Sequence, residues 1–159
     1  MIKSVDRKGG NMPKAAAMKY DNLVKTIPFK DYDEGGFRQG VELDKKWLGF
    51  DVHIKYGCYW TAGKIGKEPY VPHVHDFDQV MLFAGSDMDD IGDLGAEVEF
   101  WIGEGKDMEK IVFTTSSSIY VPPGVAHFPQ IWRNVRRPVF TMVVMPTTGK
   151  KVIKKVSQG

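Results

Sequence analysis

From Gly49 onward the hydrophobic and polar positions alternate. Phe50, Val52, Ile54, Tyr56, Cys58 and Trp60 interleave with Asp51, His53, Lys55, Gly57 and Tyr59, and this period of two predicts one long half-buried strand. Shorter β-type runs follow at Val80 to Ala84, Ala96 to Ile102, Lys110 to Thr115, Ile119 to Val121, Phe128 to Arg133 and Val139 to Met145. Gly, Pro, Asp or Ser separates them, and many short strands with regular turn signals predict a sandwich or barrel. The N-terminal part reads differently. Lys3, Arg7 and Lys8 precede Gly9-Gly10, and Pro13 opens a run of Ala15-Ala16-Ala17-Met18, which predicts a short helix reaching Val24 or Lys25. The expected organisation is an arm over residues 1–40, a β domain over 41–147 and a basic tail over 148–159. In that tail Lys150, Lys151, Lys154 and Lys155 surround Val152, Ile153 and Val156, which reads more as a solvated end than as an edge strand.

Composition narrows the class. A chain of 159 residues with 42% hydrophobic and 12% aromatic residues can fill the core of one domain. The net charge of +2 is small and its basic residues are scattered, which argues against a nucleic-acid partner. A single cysteine, Cys58, gives no disulfide framework and no Cys-based zinc finger. No run of 18 apolar residues is present and the first residues lack the apolar core of a secretory signal, so a soluble cytoplasmic protein without membrane partners is expected.

The chemistry concentrates in two short pieces, His73-Val74-His75-Asp76-Phe77-Asp78-Gln79 and Pro122-Pro123-Gly124-Val125-Ala126-His127. On an extended segment His73 and His75 point to one side, and a third histidine from a distant strand can close a metal site. Continued parity adds Gln79, Met81 and Phe83 to that side and turns Asp76, Asp78, Val80, Leu82 and Ala84 away. The same test on the second piece groups His127 with Pro129, Ile131 and Arg133, opposite Phe128, Gln130 and Trp132. Three imidazoles and an amide oxygen can thus meet among apolar side chains.

These pieces resemble the paired motifs of the cupin superfamily, small β-barrels with a metal bound inside. The likeness covers Phe50 to Met145. Gln79 stands where the first motif carries Glu, and Gly85 falls at its Gly position. In the second motif Pro122, Gly124 and His127 match, whereas Ser116 replaces the opening Gly and Ile131 the closing Asn. The resemblance implies an all-β cupin-type barrel (double-stranded β-helix, or jelly roll) behind the helical arm. It further implies one divalent transition metal ion (Fe, Mn, Zn or Ni) on His73, His75 and His127 with Gln79 as fourth ligand, a small-molecule substrate, and a homodimer formed by sheet packing or the arm. A neutral amide in place of a carboxylate leaves the ion its full double charge, which favours anionic ligands.

Other candidates carry less. His53 lies opposite the apolar face of its strand and is the candidate general acid or base if that face lines the barrel. Met81, Phe83 and Tyr56 are candidates for a pocket wall. Arg133 is a candidate partner for a substrate carboxylate, with a rim salt bridge as its plainer role. Cys58 reads as a small buried hydrophobe. The acidic run Ser86 to Asp93 is not a calcium loop, since Ile91 and Val98 occupy positions that need oxygen ligands, and it reads as a solvated hairpin insertion. Gly57 to Lys64 has the wrong spacing for a phosphate loop. Two functions compete: an enzyme of dioxygenase or isomerase/lyase type at a three-histidine centre, and a ligand-binding or sensory barrel without turnover.

Overall fold

The computed structural model describes residues 23–34, 36–65, 72–147 and 154–155. In chain order the strands are β1 (Phe29–Glu34), β2 (Phe37–Leu43), β3 (His53–Tyr59), β4 (Gly63–Ile65), β5 (His73–Val74), β6 (Gln79–Ala84), β7 (Asp93–Ile102), β8 (Glu109–Thr115), β9 (Ser117–Val121), β10 (His127–Arg133), β11 (Val139–Met145) and β12 (Lys154–Lys155). One sheet has the order β1-β2-β3-β11-β6-β9. The other runs β12-β5-β10-β7-β8, with β4 also on β10. Every pairing is antiparallel, and the sheets face each other without being closed by hydrogen bonds. Among the described residues no helix is long and apolar enough to cross a membrane.

The core lies between the sheets. Leu94, Ala96, Val98 and Phe100 alternate along β7 onto its inner side and meet Phe83, Val121, Trp132 and Val139. Each Leu, Val or Phe among them, once fully buried, contributes about 1.5–3 kcal/mol. Trp132 stacks on Tyr59 at 4.2 Å between ring centres, and Phe83 closes on Trp132 at 6.0 Å. This aromatic floor seals one end of the interior. Phe37 rests on the backbone of Gly40 and Gly57, where a Cβ at either glycine would collide with its ring.

Several features depart from the sequence reading. The β structure begins well inside the expected arm, because β1 and β2 extend the first sheet from β3. Between β2 and β3 sits a one-turn helix, α1 (Lys45–Leu48), capped by the Asp44 carboxylate on the Trp47 amide at 3.1 Å and ended by Gly49 at φ 87°. The tail adds a strand where a solvated end was expected: Lys154 and Lys155 pair through their backbones with Val74 and His73. The N-terminal helix expected from Pro13 lies outside the described residues apart from its last positions, Leu23 to Lys25.

The apolar stripe of β3 faces outward. Register aligns Tyr59, Gly57, Lys55 and His53 with Val139, Thr141, Val143 and Met145 of β11, and the buried members of those pairs are inner ones. Hence Ile54, Tyr56 and Cys58 lie on the outer surface, and the strand is shorter than the alternation suggested, with Phe50 and Trp60 exposed. The acidic run is no hairpin. It crosses from β6 in one sheet to β7 in the other, and its last carboxylate, Asp93, is held by Arg136 (2.9 Å) and Arg137 (2.5 Å).

Candidate metal centre

His73 and His75 sit on and just beyond β5, and His127 opens β10, directly opposite His73 in the antiparallel pairing. Gln79 opens β6 in the facing sheet. Both sheets therefore contribute, and local sequence patterning alone cannot bring these four together. The ring nitrogens of the three histidines lie within 4.8 Å of one another, with ring centres 4.5–5.0 Å apart. His127 is fully buried, His75 nearly so, and His73 half-buried.

A second contact sets the tautomer of His127. His127 Nδ1 lies 3.3 Å from the Val125 carbonyl, so Nδ1 carries the proton and donates it there. Its Nε2 lone pair then faces the Gln79 amide, 3.4 Å away. Phe77 stacks under His75 at 4.6 Å, and Phe128 stacks on His73 at 5.1 Å. Burial, reinforced by the neighbouring His73 and His75 and partly opposed by the Val125 carbonyl, takes the His127 pKa down to about 3. Burial also lowers that of His73. Neutral imidazoles with inward lone pairs are the form that binds a cation, and the donor set fits a divalent transition metal.

A cavity of about 300 Å³ opens beside these rings. It is bordered by His73, His75, Gln79, Met81, Phe83 and the apolar inner residues of β11, so Met81 and Phe83 stand where sequence parity put them. Asp76 and Asp78 turn away as expected: Asp76 is exposed and Asp78 accepts from the Tyr120 hydroxyl at 2.5 Å. Tyr56 borders the cavity, but its ring turns to Phe140 at 5.9 Å on the outer face. His53 is on the inner face beyond the cavity wall, its Nε2 2.8 Å from Glu42 Oε1.

The parity test failed on β10. The pairing of β10 with β7 shifts between His127 and Gln130, where Phe128 adopts φ 83°, so the strand turns over after His127. Gln130 and Trp132 consequently share the buried side with His127, and Arg133 goes outside. There its guanidinium donates to Glu99 at 3.1 Å, and the Trp101 indole donates to the other Glu99 oxygen at 2.7 Å. Arg133 is thus a rim salt bridge and not a cavity residue. Gln130, overlooked in the sequence, borders the cavity, and its Oε1 has no hydrogen-bond partner among the described residues. Phe77 could have been found, since it shares the parity of His73, His75 and Gln79.

The two facing antiparallel sheets form a cupin-type β-barrel fold. Solved structures similar to it include oxalate oxidase in complex with the substrate analogue glycolate, at 18% identity over 91% of this chain and 68% of that one, with a TM-score of 0.55. A second oxalate oxidase structure matches at 17% identity over 97% and 73%, also at 0.55. The capsular polysaccharide assembling protein CapF from Staphylococcus aureus matches at 13% identity over 81% of this chain and 31% of that one, at 0.51. No family model and no curated protein matches the sequence.

Proposed function

We propose that the chain binds one divalent transition metal ion (Fe, Mn, Zn or Ni) through His73, His75, His127 and Gln79, and acts there on a small oxygen-rich or carboxylate-bearing molecule. The observation that carries this reading is the convergence of three imidazoles within 4.8 Å, two of them, His73 and His75, at the wall of a mainly apolar cavity. A metal so held supplies Lewis-acid polarisation, or oxygen activation if it is iron. The chain's own residues do the rest. Val125 orients His127, Phe77 and Phe128 fix the planes of His75 and His73, and Met81, Phe83 and Val143 exclude water from the bound molecule. Gln79 supports this role by its place beside His127 Nε2, where turning the amide over presents its oxygen.

One observation favours the second reading, a ligand-binding barrel without turnover: among the described residues no Asp or Glu borders the cavity. A turnover mechanism needs a proton carrier, and His53, held by Glu42, is the nearest candidate on the inner face. The partly exposed apolar outer face of the first sheet, with Leu82 39% exposed, supports a homodimer by sheet packing. A single cysteine fits the cytoplasmic placement expected from sequence.

Elemental analysis of untagged protein beside the His73→Ala, His75→Ala, His127→Ala triple variant tests the site. Near-stoichiometric metal in the parent and none in the variant is expected. Equal metal in both refutes the assignment. Iron then directs assays to oxygen uptake, and manganese, zinc or nickel to isomerase, lyase or ligand-binding assays.

A further inference from the structure

The inner face of the first sheet carries a lysine that the metal reading leaves without a role. Register lines up Glu42, Lys55, Val143 and Met81 in one row across β2, β3, β11 and β6. Lys55 borders the cavity, and its side chain is 48% exposed. Two strand spacings, about 10 Å, separate β3 from β6, the strand that brings Gln79 to His127. Val143 and Met81 fill the row between them.

Lys55 shares its carboxylate partner. Glu42 is its carboxylate partner, at a loose 3.7 Å, and the same carboxylate also meets Lys30 at 3.6 Å and His53 at 2.8 Å. Two lysines thus share one carboxylate that His53 holds more closely. No Asp or Glu borders the cavity among the described residues. A cavity bordered by a cation site and by a lysine, with methyl and thioether groups in the row between, is complementary to a molecule with two poles.

The geometry points to a ligand with two anionic ends, one taken by the metal centre and the other by Lys55, joined by an apolar spacer of roughly four to six carbons. This deepens the metal reading of the preceding section and rests on it. Lys55 is a specificity residue in this scheme. It touches the end of the ligand remote from the metal, and Glu42 holds its side chain at the cavity wall.

The test is calorimetric titration of the zinc-loaded full chain with adipate, which has two carboxylates, and hexanoate, which has one and the same carbon count. At low salt adipate binds about fivefold tighter than hexanoate, beyond the roughly twofold statistical advantage of two equivalent ends, as suits a partly exposed ion pair. High salt shrinks the ratio. Lys55→Met keeps the apolar stem, leaves hexanoate affinity unchanged and abolishes the adipate preference, whereas Lys55→Arg retains it. An adipate preference that survives in Lys55→Met, or its absence in the parent, overturns the inference while zinc-dependent hexanoate binding leaves the metal reading intact. Binding of both acids that is indifferent to zinc removal overturns the metal reading and the two-pole ligand with it.

Discussion

Acid should destabilise the metal-free protein well above the pH at which its carboxylates protonate, and His127 is the reason. Its imidazole is fully buried between His73, His75 and Phe100 and is held neutral with a pKa of about 3, against about 6.5 in the unfolded chain. Between those values the unfolded chain binds a proton that the folded one refuses, so stability rises with pH across the window. The histidine contribution is complete above pH 6.5 and is lost progressively as pH falls toward 3. At about 1.4 kcal/mol per pH unit the full window amounts to about 5 kcal/mol, and the part between pH 6.5 and 4.5 to about 2 kcal/mol. Burial lowers the His73 pKa as well, which adds a loss of the same sign. Asp93 and Glu99 also have lowered pKa values, Asp93 chiefly from the Gly95 amide and Arg137, Glu99 chiefly from the Trp101 indole. Their losses fall below pH 4.5 and leave the upper window to the histidines. Urea unfolding of chelator-treated protein at pH 6.5, 5.5 and 4.5 should show the loss, and His127→Gln should flatten it by about 2 kcal/mol. Parallel pH profiles for parent and variant would refute the reasoning. Should the variant fail to fold, an NMR titration of the His127 ring in the parent decides the matter, since a midpoint near 6.5 has the same force.

Three further outcomes are expected. Gln79→Glu should tighten divalent metal binding by tenfold or more, about 1.4 kcal/mol, because it adds a negative oxygen beside His127; unchanged affinity in a competition titration with a chelator would mean that the side chain points away from the ion. Gly57→Ala should destabilise the chain by about 1–3 kcal/mol in urea unfolding, since the new methyl collides with the Phe37 ring and with the Gln39 carbonyl, and a neutral result would contradict the packing described. Leu82→Asp places a charge on the exposed apolar face of the first sheet and should convert a dimer to monomer in sedimentation velocity without altering metal content; a parent already monomeric would remove the homodimer proposal.

Alternation in the chain was enough to give an all-β domain, because a period of two has only one secondary-structure meaning and β11 was bounded correctly at Val139 and Met145. The pairing of His73 with His75, and the inward turn of Gln79, Met81 and Phe83, were equally legible, since uninterrupted parity carries them. Parity is a local rule, and it broke where the fold introduced an irregularity. The register shift after His127 exchanged Arg133 for Gln130 at the cavity wall, and its one signal in the sequence was Pro129, which cannot donate to a ladder inside a strand. Alternation also cannot say which face of a strand the tertiary structure turns inward. The stripe from Ile54 to Cys58 was the obvious inner face of β3, yet the sheet turned His53, Lys55, Gly57 and Tyr59 inward, because Tyr59 stacks on Trp132 and Gly57 admits the Phe37 ring. Ligand types and local spacing were thus properties of the sequence. The meeting of β5, β6 and β10, the neutral state of His127 and the placement of Lys55 came from the tertiary structure, since each depends on what a distant strand puts opposite it.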